Sequence, residues 1–220
     1  MKPSMVNDVT QALAAIRVIP VIVIEDPANA VPLARALHAG GISCAEITFR
    51  TSTAAEALRC ITDECPDLLV GAGTILTPQQ ATWAKAAGAK FVVSPGINLR
   101  VVDHCLTHSM PVYPGVCTPT EIETALGRGL SVVKFFPAEP IGGLQYLKAI
   151  AAPYSDIDFI PTGGVNASNL ASYLAFKRVI ACGGSWMAPA EWIAQQRFDR
   201  ITEESRAAST IARASRDMRA

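Results

Sequence analysis

Val18-Ile19-Pro20-Val21-Ile22-Val23-Ile24 is an unbroken apolar run, closed by the acidic pair Glu25-Asp26. A run of this length without alternation suits a strand covered on both faces, as parallel strands are in α/β proteins. Seven further short runs follow, at Cys44–Phe49, Leu68–Gly71, Phe91–Val93, Pro111–Tyr113, Ser131–Phe136, Asp158–Pro161 and Arg178–Cys182. Eight strands make a closed parallel barrel. Between them lie alanine-rich segments that read as crossover helices: Ala28–Ala39, Thr53–Glu64, Pro78–Ala87, Leu99–Thr107, Pro119–Arg128, Gly143–Ala151, Ala167–Phe176 and Glu191–Gln196. Asp26-Pro27, Thr77-Pro78 and Thr118-Pro119 each pair a capping residue with proline at the first helical position, and Gly40, Gly88 and Gly129 punctuate the ends. Thr10–Ile16 and Ile201–Met218 read as flanking helices, the second rich in alternating charges and so expected to be largely solvated. The expected fold is a (β/α)8 TIM barrel with a flanking N-terminal helix and a C-terminal helix, with residues 1–220 as one domain.

Composition limits the function classes. The chain has 220 residues, half of them hydrophobic, enough for one barrel, whereas two ordinary domains would each be small. Lys+Arg and Asp+Glu both number 19, and no basic run supplies the phosphate neutralisation that nucleic-acid binding needs. Met1–Thr10 lacks the apolar stretch of a signal peptide, and no later run approaches the ~20 residues of a membrane span. A cytoplasmic protein is expected, without membrane or nucleic-acid partners. The six cysteines, at 44, 60, 65, 105, 117 and 182, form no C-x-x-C pair, which excludes zinc-ribbon and thioredoxin motifs; Cys44 and Cys182 sit in apolar runs as small hydrophobes. His104 and His108, four apart on an expected helix, lack a third ligand nearby, so they read as a helix-surface pair and no metal is expected. Trp83 and Trp192 read as packing residues.

Strand parity separates structural from chemical residues. In Cys44–Arg50, Ala45, Ile47 and Phe49 share the face toward the helices, which points Glu46, Thr48 and Arg50 into the barrel. In Ser131–Phe136, Val133 and Phe135 face outward and Lys134 inward. Lysine and glutamate are almost never fully buried unpaired, so both need compensation that a plain core does not require. One resolution is structural: a Lys134–Glu46 ion pair in the core, or an edge strand that turns Lys134 to water. The other is chemical. Desolvation, or a neighbouring cation such as Arg50, disfavours an ammonium, and a neutral amine attacks carbonyls to form a Schiff base. Glu46, two strands' worth of side chains away, would then move protons.

Anion-binding signals come late. Pro161-Thr162-Gly163-Gly164-Val165 follows the seventh run and Cys182-Gly183-Gly184-Ser185 the eighth, where barrels bind phosphate. Adjacent glycines let backbone N–H groups approach an anion, a following helix N-terminus adds its dipole, and Ser185 can donate a hydroxyl. Gly71-Ala72-Gly73-Thr74 does not complete G-x-G-x-x-G, so a dinucleotide site is rejected.

The sequence resembles the class I 2-keto-3-deoxy-6-phosphogluconate aldolases, including those that also cleave 4-hydroxy-2-oxoglutarate. The resemblance covers nearly the whole chain and rests on Pro20-Val21-Ile22, Ala45–Thr51, Gly71–Thr74, Ser94-Pro95-Gly96, Lys134–Glu139, Pro161–Gly164 and Gly183-Gly184-Ser185-Trp186. It implies a homotrimeric (β/α)8 barrel that needs no metal or cofactor and acts on a small 2-keto acid sugar phosphate. Lys134 would be the Schiff-base lysine and Glu46 the proton acceptor and donor. Arg50 and Thr74 would hold the substrate carboxylate, with Pro95 lining that end. Thr162, Gly163, Gly164, Gly184 and Ser185 would take the phosphate and its neighbourhood, and Thr162 resembles the gluconate-derived branch, since galactonate-derived relatives carry an apolar residue there.

Other classes stand beside this one. A metal-dependent pyruvate aldolase would not need Lys134. An epimerase- or decarboxylase-type phosphate barrel would keep the glycine loops without an imine, and a sugar-phosphate binding module would show no turnover. Only the Schiff-base aldolase uses Glu46, Arg50, Thr74, Lys134 and both Gly-Gly loops together.

Overall fold

The computed structural model describes residues 3–217, with side-chain surroundings for residues 8–215. The chain runs α1 (Pro3–Ile16), β1 (Val18–Ile22), α2 (Ala30–Ala39), β2 (Cys44–Thr48), α3 (Ala54–Glu64), β3 (Leu69–Gly73), α4 (Pro78–Ala86), β4 (Phe91–Val93), α5 (Leu99–Thr107) and β5 (Val112–Tyr113). It continues through β6 (Gly115–Val116), α6 (Pro119–Leu126), β7 (Val132–Phe135), α7 (Gly143–Ala151), β8 (Asp158–Pro161), α8 (Leu170–Ala175), β9 (Cys182–Gly184), α9 (Ala190–Ala194) and α10 (Phe198–Asp217). The expected caps form: Thr77 with Gln80 and Thr118 with Glu121 make complete capping boxes, and Asp26 caps a short 3-10 turn at Pro27–Asn29.

All strand pairs are parallel, in a curled six-stranded sheet of order β5-β4-β3-β2-β1-β9 and a three-stranded sheet β6-β7-β8. The expected fifth run, Pro111–Tyr113, holds β5, while β6 at Gly115–Val116 lies beyond it, set off by Pro114, which cannot donate to a ladder but whose carbonyl accepts from Lys134 N at 2.9 Å. Isolated parallel bridges link Phe159 of β8 to Val179, ahead of β9, and Thr162, just past β8, to Gly183 of β9. The last strand lies at Cys182–Gly184 rather than the expected Arg178–Cys182, so Gly183-Gly184 ends that strand instead of following it. The earlier part of that run is tied to β8 by Phe159 N donating to Arg178 O at 2.8 Å, Ile180 N donating to Phe159 O at 3.1 Å and the Phe159–Val179 bridge, without forming a continuous ladder.

Alternation sorts the core as parity requires. Ala45, Ile47, Val70, Ala72, Val133 and Phe135 pack in the layer between strands and helices. Ile19, Cys44, Phe91, Val93, Tyr113, Val132 and Ile160 form a separate interior cluster that Val9 and Leu13 of α1 join, with Thr10 Oγ1 2.9 Å from Tyr113 Oη. Burying each such aliphatic or aromatic side chain is worth about 1.5–3 kcal/mol.

Two sequence expectations need correction. Helix α10 is not largely solvated: Ile201, Ser205, Ala208, Ser209 and Ala212 are buried, and α10 packs on α2 and α8. Thr202 Oγ1 donates to Ala36 O at 3.2 Å and Ser209 Oγ to Gly41 O at 3.1 Å. Small residues at helical spacing make this face, and the charges occupy only the opposite one. Trp83 is not a packing residue but 52% exposed, whereas Trp192 packs partly against the core with the Arg200 guanidinium 5.5 Å from its ring.

Candidate active site

Lys134 stands on β7 opposite Gly115 of β6 and Ile160 of β8, and Glu46 on β2 opposite Val21 of β1 and Gly71 of β3. Both point inward. Lys134 Nζ lies 3.7 Å from Glu46 Oε1 across the interior, with the side chains 7% and 3% exposed. The sequence placed them two strands' worth of side chains apart; the curl of the sheet closes that gap. The Phe136 ring stands 5.0 Å from the same ammonium. Since β7 is paired on both sides, the edge-strand alternative falls, while the interior pair is present. It is a poor fastener: 3.7 Å exceeds the roughly 2.7–2.9 Å of a charge-assisted hydrogen bond, and Glu46 Oε1 accepts no hydrogen bond among the described residues. A buried pair without such support contributes little to stability.

The surroundings of the pair are cut to fit. A Cβ on Gly73 would fall in the space of the Glu46 carboxylate, and one on Gly115 would strike the Pro95 carbonyl. Gly73→Ala is therefore expected to overpack the interior at a cost of about 1–3 kcal/mol. Thermal unfolding checks this, since each kcal/mol should lower Tm by about 2–4 °C in a chain of this size; an unchanged Tm would mean that Glu46 moves freely.

The expected carboxylate-binding residues gather with one change. Strand β2 ends at Thr48, so Arg50 does not take the inward position that parity gave it and lies exposed in the turn beyond. There its Nε donates to Thr74 Oγ1 at 3.3 Å. Thr74 follows β3 with φ of +57°, a left-handed conformation uncommon for non-glycine residues, which turns its hydroxyl toward Arg50. Pro95 presents its backbone to Gly115, the register partner of Lys134.

A cavity of about 450 Å³ opens at the carboxyl ends of β2, β7, β8 and β9. Arg50, Thr162, Gly163, Gly164, Gly184 and Ser185 line it, while Lys134 and Glu46 lie one inward layer beneath, each two residues before a lining residue, Phe136 and Thr48. Gly163 and Gly164 have φ of +97° and +86°, which a side chain would strain. The Trp186 ring occupies the place of a Gly184 side chain, and the indole Nε1 donates to nothing among the described residues. The helices behind these glycines start late or are short, α8 at Leu170 and α9 spanning five residues, so the expected helix N-termini do not directly follow the turns. Of the lining residues, Phe136, Pro189 and Ala190 carry no site signal in the sequence. Phe136 was in reach, because it shares the inward parity of Lys134; the other two lie outside strands, where periodicity is silent.

No group of three or more His, Cys, Asp or Glu residues that could hold a metal occurs among the described residues. His104 Nε2 lies 3.1 Å from Thr82 Oγ1, His108 Nδ1 donates to the His104 carbonyl at 2.8 Å, and the ring centroids lie 4.2 Å apart with the planes tilted by 35°. Among the described residues no helix is long and apolar enough to cross a membrane.

A parallel α/β sheet that carries a buried lysine and carboxylate under a cavity at its strands' carboxyl ends has the layout of an α/β enzyme. The chain belongs to the KDPG and KHG aldolase family, whose model matches residues 9–204. It is 58% identical over 192 residues to the 2-dehydro-3-deoxy-phosphogluconate aldolase of Treponema pallidum, covering 87% of this chain and 91% of the relative. It is similar to the KDPG aldolase of Legionella pneumophila, whose crystal structure holds pyruvate captured at low pH as a covalent carbinolamine intermediate: TM-score 0.88, 42% identity, 91% of this chain and 97% of the other. A third likeness is to the 2-keto-3-deoxy-6-phosphogluconate aldolase of Zymomonas mobilis with 3-phosphoglycerate, at TM-score 0.87 and 38% identity over 94% and 97% of the two chains.

Proposed function

We propose that this chain is a Schiff-base aldolase that cleaves 2-keto-3-deoxy-6-phosphogluconate to pyruvate and glyceraldehyde 3-phosphate, and 4-hydroxy-2-oxoglutarate to pyruvate and glyoxylate. The observation that carries it is the Lys134–Glu46 pair at 3.7 Å beneath the glycine-lined cavity. Lys134 condenses with the C2 ketone and releases water. Glu46, directly or through a water, removes the 4-hydroxyl proton as the C3–C4 bond breaks, and the electron pair flows into the protonated imine. The aldehyde leaves, Glu46 protonates the enamine at C3, and hydrolysis frees pyruvate and the lysine. The captured carbinolamine in the Legionella pneumophila relative supports this sequence of steps.

Arg50 and Thr74 hold the substrate carboxylate, Pro95 lines that end, and Thr162, Gly163, Gly164, Gly184 and Ser185 receive the phosphate side. Thr162 favours the gluconate epimer. The 3-phosphoglycerate of the Zymomonas mobilis relative supports a phosphate-bearing ligand. We read the two sheets as one closed (β/α)8 barrel, supported by continuity through Pro114 and by the two bridges from β8. Residues 1–220 form its single domain. A homotrimer completes the reading, supported by the half-exposed Leu76 and Trp83, and a cytoplasmic location fits a charged substrate that does not cross membranes.

Ser185→Ala tests the phosphate side. It removes one hydroxyl to an anion, so KM for the phosphorylated substrate is expected to rise about tenfold, with kcat and the kinetics on 4-hydroxy-2-oxoglutarate nearly unchanged. Steady-state assays on both substrates decide this. Equal losses on both would remove Ser185 from the phosphate site.

A further inference from the structure

The turn at Gly163-Gly164-Val165 is held from behind at successive carbonyls. Gly163 O accepts from the backbone N of Glu139 at 2.9 Å. Gly164 O accepts from two side chains, Asn166 Nδ2 and Asn169 Nδ2, each at 3.1 Å. Both amides are themselves fixed. Asn166 Oδ1 takes Ser168 N at 2.9 Å and Ser168 Oγ at 2.6 Å, and Asn169 Oδ1 takes Asn166 N at 2.8 Å, so in each case only the NH₂ end can face Gly164.

A trans peptide is planar, with its C=O and N–H pointing in opposite senses. Holding Gly163 O therefore aims Gly164 N–H, and holding Gly164 O aims Val165 N–H, away from the residues that clamp them. Gly163, Gly164 and Val165 all line the cavity, and among the described residues neither Gly164 N nor Val165 N donates a hydrogen bond. Successive amides so presented make a concavity for an anion.

We propose that Asn166 and Asn169 are positioning residues for the phosphate group of the substrate: by clamping the Gly164 carbonyl they point the Val165 amide into the cavity and keep the turn in its anion-receiving form. The inference rests on the phosphate side of the proposed function. Of the two peptides, only this one is held by side chains, so it alone can be loosened by substitution without touching a residue that meets the ligand.

The test uses the full chain with Asn166→Ala and Asn169→Ala combined, because the two amides share one acceptor and either alone retains part of the clamp. KM for 2-keto-3-deoxy-6-phosphogluconate and the inhibition constant of inorganic phosphate are expected to rise together by about tenfold, while kcat/KM on 4-hydroxy-2-oxoglutarate stays within about twofold. Should the double variant fail to fold, Asn169→Ala alone is expected to give a rise of about threefold in the same two quantities. Equal losses on both substrates would reduce the asparagines to structural residues, and an unchanged phosphate inhibition constant would show that the turn holds its form without them. If the unaltered protein is indifferent to inorganic phosphate, the phosphate site itself is wrong and the inference falls with it, a result distinct from an effect confined to the variants.

Discussion

Lys134→Ala and Lys134→Arg are both expected to lose at least about 10⁴-fold in kcat on either substrate, since removing a covalent nucleophile leaves only binding and orientation. The arginine variant carries the sharper argument. A guanidinium keeps the positive charge opposite Glu46 and can pair with it, but it stays protonated and cannot form an imine. If the Lys134–Glu46 contact at 3.7 Å served only to neutralise two buried charges, Lys134→Arg would retain activity. Lys134→Ala strands the Glu46 carboxylate in the interior, where an uncompensated charge costs about 3–5 kcal/mol, so its activity must be read beside its thermal unfolding. Turnover by either folded variant within about tenfold of the unaltered enzyme would contradict the account.

Glu46→Gln is expected to lower kcat by about 10²–10⁴-fold, the usual worth of a positioned acid–base group, without preventing imine formation. The amide matches the carboxylate in shape and fits the space that Gly73 leaves, so the interior should remain packed. Two readouts separate this from a general loss. Borohydride should still trap pyruvate on Lys134 in the variant, and exchange of the pyruvate methyl protons with deuterated solvent should slow in step with kcat, because both need a proton delivered to or removed from carbon. Loss of trapping together with turnover would instead make Glu46 a requirement for imine formation.

The strands that carry the chemistry were legible because alternation has a period of two and the sheet is covered on both faces. Glu46 and Lys134 each interrupt an apolar strand at an inward position, and the structure places them there. The capping residues at Thr77 and Thr118 were equally plain, since a hydroxyl followed by proline at the first helical position marks a helix start locally, while the Gln80 and Glu121 halves of the capping boxes emerged only in the structure. What escaped were effects of strand ends and of tertiary packing. Strand parity carried Arg50 two residues past the end of β2, beyond where alternation holds. Strand β6 at Gly115–Val116 lies past the expected run Pro111–Tyr113, because two residues after a proline carry no alternation to read, and the ladder at β9 starts four residues late, in glycines that propensity alone disfavours. The burial of α10 depends on small residues, which carry too little hydrophobic signal to outweigh the charges between them. The Asn166–Asn169 clamp depends on which carbonyl two amides share, and no periodicity encodes that.

Incubation with pyruvate and borohydride in the presence of EDTA, followed by peptide mass spectrometry, reads out directly whether Lys134 forms the imine. A reduced pyruvyl adduct on Lys134 is expected. Folded protein that yields no adduct, or carries it on another lysine, would contradict imine formation at Lys134.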